Sequence, residues 1–119
     1  MDLDYLLSVS GNEMTQIMAD LQRLYCRLLT FPMVTVAAAN GHIYAAGALL
    51  YYIIMNNSKG FFCFPEIKLK FSFPAALLEL AKARMAKRGQ RAVLVLGRRY
   101  GGQEAHAAGL VDECVHRPS

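Results

Sequence analysis

The chain has 119 residues, 55% of them hydrophobic and 18% charged, with a formal net charge of +4. That length bounds one small domain or part of a larger one, and the apolar content excludes a disordered tail. Three widely spaced cysteines and three scattered histidines give neither a disulfide framework nor a metal-ligand spacing, so a reducing compartment and no metal are expected.

In chain order, Tyr5-Leu6-Leu7 is an apolar cluster with no evident partner. The acidic start, Met1-Asp2-Leu3-Asp4, is not the basic opening of a cleavable signal peptide, and Arg117-Pro118-Ser119 is not a peroxisomal Ser-Lys-Leu tripeptide. Ser10 and Glu13 have the spacing of a capping box. Behind them Met14, Ile17, Met18, Leu21, Leu24, Tyr25, Leu28 and Leu29 recur at three- and four-residue steps, which predicts a helix with one apolar, core-facing stripe. Pro32 disfavours a helical Phe31 and marks its end.

Met33 to Ala38 is short, apolar and β-branched and reads as a buried strand. Asn40-Gly41 suits a turn with positive φ. A helix then opens at Ala45-Ala46-Gly47, and a strand turning into a helix aims backbone N–H groups outwards, where they hold a negative oxygen. Tyr51 to Met55 reads as a second strand, followed by a turn over 56–60. Proline at Pro74 starts another helix, with Ala76, Leu77, Leu80, Ala81 and Met85 on its buried side and Gly89 at its C-cap. Ala92 to Leu96 continues as apolar helix. Gln103 to Ala108 is a short helix closed by Gly109, and Leu110-Val111 runs on as a strand. Alternating helices and strands give an α/β chain.

Glu66 is the lone acidic residue between Leu21 and Leu78 and follows Phe61-Phe62-Cys63-Phe64-Pro65. An anion-holding turn with one carboxylate in apolar surroundings suits proton transfer next to a carbonyl. On its residues alone, Glu66 reads equally as that base or as an ion-pair partner of Lys68 or Lys70 on an extended segment. Phe61, Phe62, Phe64 and Phe71 would desolvate it and raise its pKa. His42, beside a turn, reads as structural. The basic run Lys82, Arg84, Lys87, Arg88, Arg91, Arg98 and Arg99 reads as a solvated helical face. With no interleaved aromatic residues, no nucleic-acid partner is expected. The stretch from Leu28 to Ser58 carries no Asp, Glu, Lys or Arg and is long enough to span a bilayer. Pro32 and Asn40-Gly41-His42 interrupt it, so a membrane-inserted segment is a rival reading and no membrane span is expected.

Val36-Ala37-Ala38-Ala39-Asn40-Gly41-His42, then Ala45-Ala46-Gly47, then Phe64-Pro65-Glu66-Ile67-Lys68-Leu69 resemble the core of the enoyl-CoA hydratase/isomerase (crotonase) superfamily. The Ala-Ala-Gly turn and lone glutamate most resemble its Δ3,Δ2-enoyl-CoA isomerases of mitochondria and plant peroxisomes. Leu96-Gly97 and Glu104 to Asp112 resemble the family's segment beyond the active site. Each block is weak alone, but their order and spacing are fairly specific.

The resemblance implies an α/β, partial crotonase-like (ββα) superhelix over 1–119 as a single partial domain. Family members are about twice this long, so it also implies a fragment, a truncated gene model or a minimal relative. Glu66 becomes the base that takes a proton from C2 of a 3-enoyl thioester and returns it at C4. The backbone N–H of Ala46 becomes an oxyanion donor, while Ala45, Gly47, Leu49 and Phe64 line the substrate site. The family's second donor would lie upstream of residue 1, unless residues 1–9 or another subunit supply it. Leu49 stands where hydratases carry a second glutamate, which favours isomerisation over hydration. The helix after Gly47 is about one turn shorter than the family pattern. The implied partners are a fatty acyl-CoA thioester and further copies of the chain in a trimer. Coenzyme A is part of the substrate, so no separate cofactor is expected. The implied setting is fatty-acid β-oxidation in a peroxisome or mitochondrion. Alternatives are an enoyl-CoA hydratase and a catalytically inactive fragment acting only through packing or partner interaction.

Overall fold

The structure, a computed structural model, describes residues 3–68, 72 and 74–116. They group into two compact units, Met1–Phe31 and Pro32–Ser119.

The first unit is helical: α1, Leu3–Ser8, and α2, Gly11–Leu29. The capping box forms as expected. Glu13 N donates to Ser10 Oγ at 3.3 Å, and Ser10 N donates to Glu13 Oε2 at 2.9 Å. Two of the orphan donors at a helix start are thereby satisfied reciprocally. The helix stops at Leu29, ahead of Pro32. Its apolar stripe is less buried than a core-facing reading requires, since Tyr25 is the one buried residue of α2 and Leu24 stays 52% exposed. Burial pushes the Tyr25 hydroxyl up to about 12.

The second unit holds two parallel sheets. In the first, β1 (Val36–Ala39) pairs with β3 (Tyr52–Asn56), and β3 pairs with β5 (Glu113–Val115). Val36 lies opposite Tyr52, and Ile54 opposite Glu113. The central strand carries the burial, with Ile53, Met55 and Asn56 inside, whereas the strand expected as buried over Met33 to Ala38 runs Val36–Ala39 and leaves Met33, Val34 and Val36 exposed. In the second sheet β2, Ile43–Tyr44, runs parallel to β4, Phe62–Cys63. An antiparallel bridge ties Phe62 to Tyr100 through N–H···O bonds of 2.8 and 3.0 Å.

The helices are α3 (Ala75–Arg84), α4 (Lys87–Gln90) and α5 (Gly102–Ala107), with a π-helical turn over Arg91–Val95. Leu77, Ala81 and Met85 face inwards as expected, whereas Ala76 is exposed and Leu80 half-buried. Gly89 is not a C-cap. Helix α3 ends four residues earlier at Met85, and Gly89 is a packing glycine whose added Cβ would meet Leu110 at 2.7 Å. Gly109, with φ of +69°, does close α5. Leu110 and Val111 are buried turn residues, and the strand begins three positions later because Asp112 first bonds to β3. Among the described residues no helix is long and apolar enough to cross a membrane. The uncharged run breaks into strands and a five-residue 3-10 helix instead.

Candidate active site

Asn40-Gly41 does not adopt the positive-φ turn its composition suggests. Asn40 is held by its side chain, with Asn56 Nδ2 donating to Asn40 Oδ1 at 3.4 Å. The left-handed residue of the crossing is Gly60, φ +85°, whose missing Cβ leaves room for the Gly41 carbonyl. That approach starts the β2–β4 pairing, and Ile43 N donates to Phe61 O at 2.9 Å directly after it. The Asn-Gly pair thus leads into a strand, and only that strand leads into a helix.

The helix is a five-residue 3-10 helix, Ala45–Leu49, and not the α-helix opening that the sequence suggests. Its first residue, Ala45, has φ of +47°, the one positive φ among the described non-glycine residues. A left-handed alanine costs about 1–2 kcal/mol, and such strain persists only where surrounding structure over-determines it. Here Ala48 and Leu49 do so, being 0% and 1% exposed. Ala46 and Ala45 are half-buried and Gly47 is exposed at the helix start.

The pairing register decides where Glu66 lies. Tyr44 sits opposite Cys63, and both strands run the same way. Ala46 is two residues past the first and Glu66 three past the second, so both leave the same, carboxyl, end of one sheet. Adjacent strands lie about 4.7–4.9 Å apart, and β4 also packs against the 3-10 helix. Ligands of α/β sheets bind outside the carboxyl ends of parallel strands.

Beyond β4 the chain turns, with Lys68 N donating to Pro65 O at 2.9 Å. Glu66 and Lys68 therefore do not share the face of an extended strand, and among the described residues they form no ion pair. Lys70 and Phe71 lie outside the described residues. Glu66 Oε2 is buried without a hydrogen-bond partner among the described residues. Desolvation raises the Glu66 pKa above the ordinary carboxylate value, and its own backbone N–H offsets this in part. Phe62 and Phe64 are buried just before it, Phe64 at 2% exposure. The turn is seated on Gly97, φ +57°, where a Cβ would meet Ile67 at 3.0 Å and the Phe64 carbonyl at 3.4 Å. Gly97 stands out in the sequence as part of Leu96-Gly97, but its seating role depends on a contact thirty residues away.

Neighbouring groups do not compete for the chemistry. The Cys63 thiol is buried and pushed up by that burial, an effect only partly offset by the charges of Lys68 and Arg99. A thiol so raised is a poor nucleophile. The exposed His42 ring packs 4.1 Å from Phe61 and 5.8 Å from Tyr44, which makes it a packing residue. The basic run is solvent-exposed as expected at Lys82, Lys87, Arg88, Arg91, Arg98 and Arg99, and Arg84 is its half-buried exception. Arg99 covers the Phe61 ring, Arg98 pairs with Glu104, Lys82 pairs with Glu79 and Arg88 donates to Ala107 O. Arg84 pairs with Asp112, a partner 28 positions away that no local pattern reveals.

The model of the enoyl-CoA hydratase/isomerase family matches residues 1–118. The chain belongs to that family. A curated relative, the peroxisomal enoyl-CoA delta isomerase 2 of Arabidopsis thaliana, is 30% identical over 112 residues, covering 90% of this chain and 47% of the relative. An enoyl-CoA hydratase/isomerase family protein of Pseudomonas syringae matches in structure with a TM-score of 0.87 at 25% identity, covering 97% of this chain and 51% of that one. An enoyl-CoA hydratase of Mycobacterium ulcerans gives 0.83 at 27% identity, covering 98% and 52%. The fold is therefore a partial crotonase fold, and the chain spans about half the length of the curated relatives it matches.

Proposed function

We propose that this chain carries the proton-transfer half-site of a Δ3,Δ2-enoyl-CoA isomerase. The observation that carries this reading is the parallel register of β2 and β4, by which the Ala46 turn and Glu66, whose Oε2 is buried and without a hydrogen-bond partner among the described residues, follow the same sheet end. Glu66 removes a proton from C2 of a 3-enoyl-CoA, and the electron pair moves onto the thioester oxygen. The amide of Ala46 donates to that oxygen. The same carboxyl group then returns its proton to C4, leaving the double bond between C2 and C3. A raised pKa suits both halves, because a base near the working pH gives the proton back as readily as it takes it. Removing such an oxyanion donor costs on the order of 10²–10³ in rate.

Ala45 and Gly47 frame the donor, and Leu49 and Phe64 form the apolar floor beneath the acyl group. Hydration would need a second acid–base group for the water. Leu49 offers none, which supports isomerisation. The hydratase reading is kept by the likeness to the Mycobacterium ulcerans enzyme. By likeness to the peroxisomal enoyl-CoA delta isomerases of Arabidopsis thaliana, the substrate is an enoyl-CoA and the setting a peroxisome, while the trimer and a place in fatty-acid β-oxidation are what the family resemblance alone implies. The test follows conjugation of a 3-enoyl-CoA by ultraviolet absorbance with wild type and Glu66→Gln. Loss of the signal in the variant is the expected result. Equal rates would remove Glu66 as the base, and no rate in either would leave a chain that acts only through packing.

A further inference from the structure

The 3-10 helix that carries Ala46 has weak means of holding itself. It has five residues, no side-chain cap at its Tyr44 end and a left-handed first residue. Hydrogen-bond geometry in such helices is poorer than in an α-helix. At its far end the chain turns extended at Leu50, which turns that carbonyl away from the helix ladder. Arg84 Nε donates to Leu50 O at 2.6 Å. The same guanidinium is only 14% exposed and is gripped on its other edge by Asp112 Oδ2. Asp112 is fixed in turn, since its Oδ2 accepts from Ile53 N at 2.8 Å and its own N–H donates to Ile53 O at 3.0 Å. Helix α3, which bears Arg84, packs against the 3-10 helix. The central strand therefore holds Asp112, Asp112 holds Arg84, and Arg84 holds the end of the helix whose start presents Ala46.

We propose that Arg84 is a positioning residue for the Ala46 amide, setting the angle at which that donor meets a thioester oxygen. This inference rests on the isomerase reading above. A planar guanidinium suits the task because it reaches two acceptors at once along fixed directions, whereas an ammonium is a single point of donation.

The test uses a saturated acyl-CoA labelled with ¹³C at the thioester carbonyl, bound to the full chain and read by infrared difference spectroscopy beside kcat and KM for a 3-enoyl-CoA. Two variants are compared. Arg84→Lys keeps the charge beside Asp112 but not the two-edged grip. Arg84→Met with Asp112→Asn removes both charges, so no buried ion is left unpaired and folding is protected. In wild type the carbonyl stretch moves to lower frequency on binding. In both variants most of that shift is lost and kcat falls on the order of tenfold to a hundredfold, less than for outright loss of a donor, while KM stays near its wild-type value. A merely structural role would lower the melting temperature and leave the carbonyl shift of the folded fraction intact. That result, or a wild-type kcat in the variants, overturns the positioning role and spares Glu66 and Ala46. Absence of the shift in wild type overturns the oxyanion reading and this inference with it.

Discussion

Gly60 is where the geometry of the site is most exposed to a single methyl group. A Cβ there would lie 2.2 Å from both the carbon and the oxygen of the Gly41 carbonyl and 2.8 Å from His42 N. All three are backbone atoms, so no rotamer change relieves the clash. The φ of +85° adds a left-handed penalty of about 1–2 kcal/mol for any side chain. Forced overpacking adds typically 1–3 kcal/mol. Gly60→Ala should therefore cost about 2–5 kcal/mol, which for a chain of this size lowers Tm by roughly 10–20 °C. The displaced atoms directly precede the Ile43–Phe61 hydrogen bond that begins the β2–β4 pairing, so the variant should lose activity even where it is still folded. Gly41→Ala is the matched control. Among the described residues nothing lies within 4 Å of its added Cβ, and its φ is not positive, so its effect should stay within about 0.5 kcal/mol. Circular-dichroism melts of both proteins decide the matter. Equal Tm values, or a larger loss at Gly41 than at Gly60, would refute this account of the crossing.

Glu66→Gln should be more stable than wild type at neutral pH, because it removes a charge that burial disfavours. The folded-state pKa is raised, so wild-type stability should be fullest below the ordinary glutamate pKa and fall as pH rises through the raised value. Denaturant titrations across that window should converge for the two proteins on the acid side, and a gap that widens there would contradict the burial of Glu66. The isomerisation rate should rise with pH through the same raised value, since the carboxylate is the working form; a rate that falls across that range would exclude it as the base. Gly97→Ala should destabilise by about 1–2 kcal/mol from its positive φ. It should lower kcat as well, by pushing the Phe64–Lys68 turn off its seat, and unchanged kcat in the folded variant would show that the seat does not position Glu66.

Local features of this fold are legible in the sequence and cross-chain ones are not. Ser10 and Glu13 are three residues apart and find each other in any helix, and Gly109 closes α5 for reasons contained in its own backbone. Glu66 is conspicuous as a lone acid in an apolar stretch. Asn40-Gly41 misleads because its turn signature is local, whereas the positive φ belongs to Gly60 across the sheet and Asn40 is engaged by Asn56. Strand β2 is only two residues long, below the length at which alternation can be read. Gly89 has the composition of a cap and the job of a packing glycine under Leu110. Arg84 departs from the solvated basic run because Asp112, which engages it, is brought close only by folding.

The proposed shuttling of one proton from C2 to C4 by Glu66 is tested most directly by label transfer. A 3-enoyl-CoA bearing deuterium at C2 is turned over in ordinary water, and the position of the label in the product is read by mass spectrometry. One carboxyl group serving both carbons should deliver part of the label to C4 in wild type, and Glu66→Gln should give no product. Product formed by the variant at the wild-type rate would contradict the account.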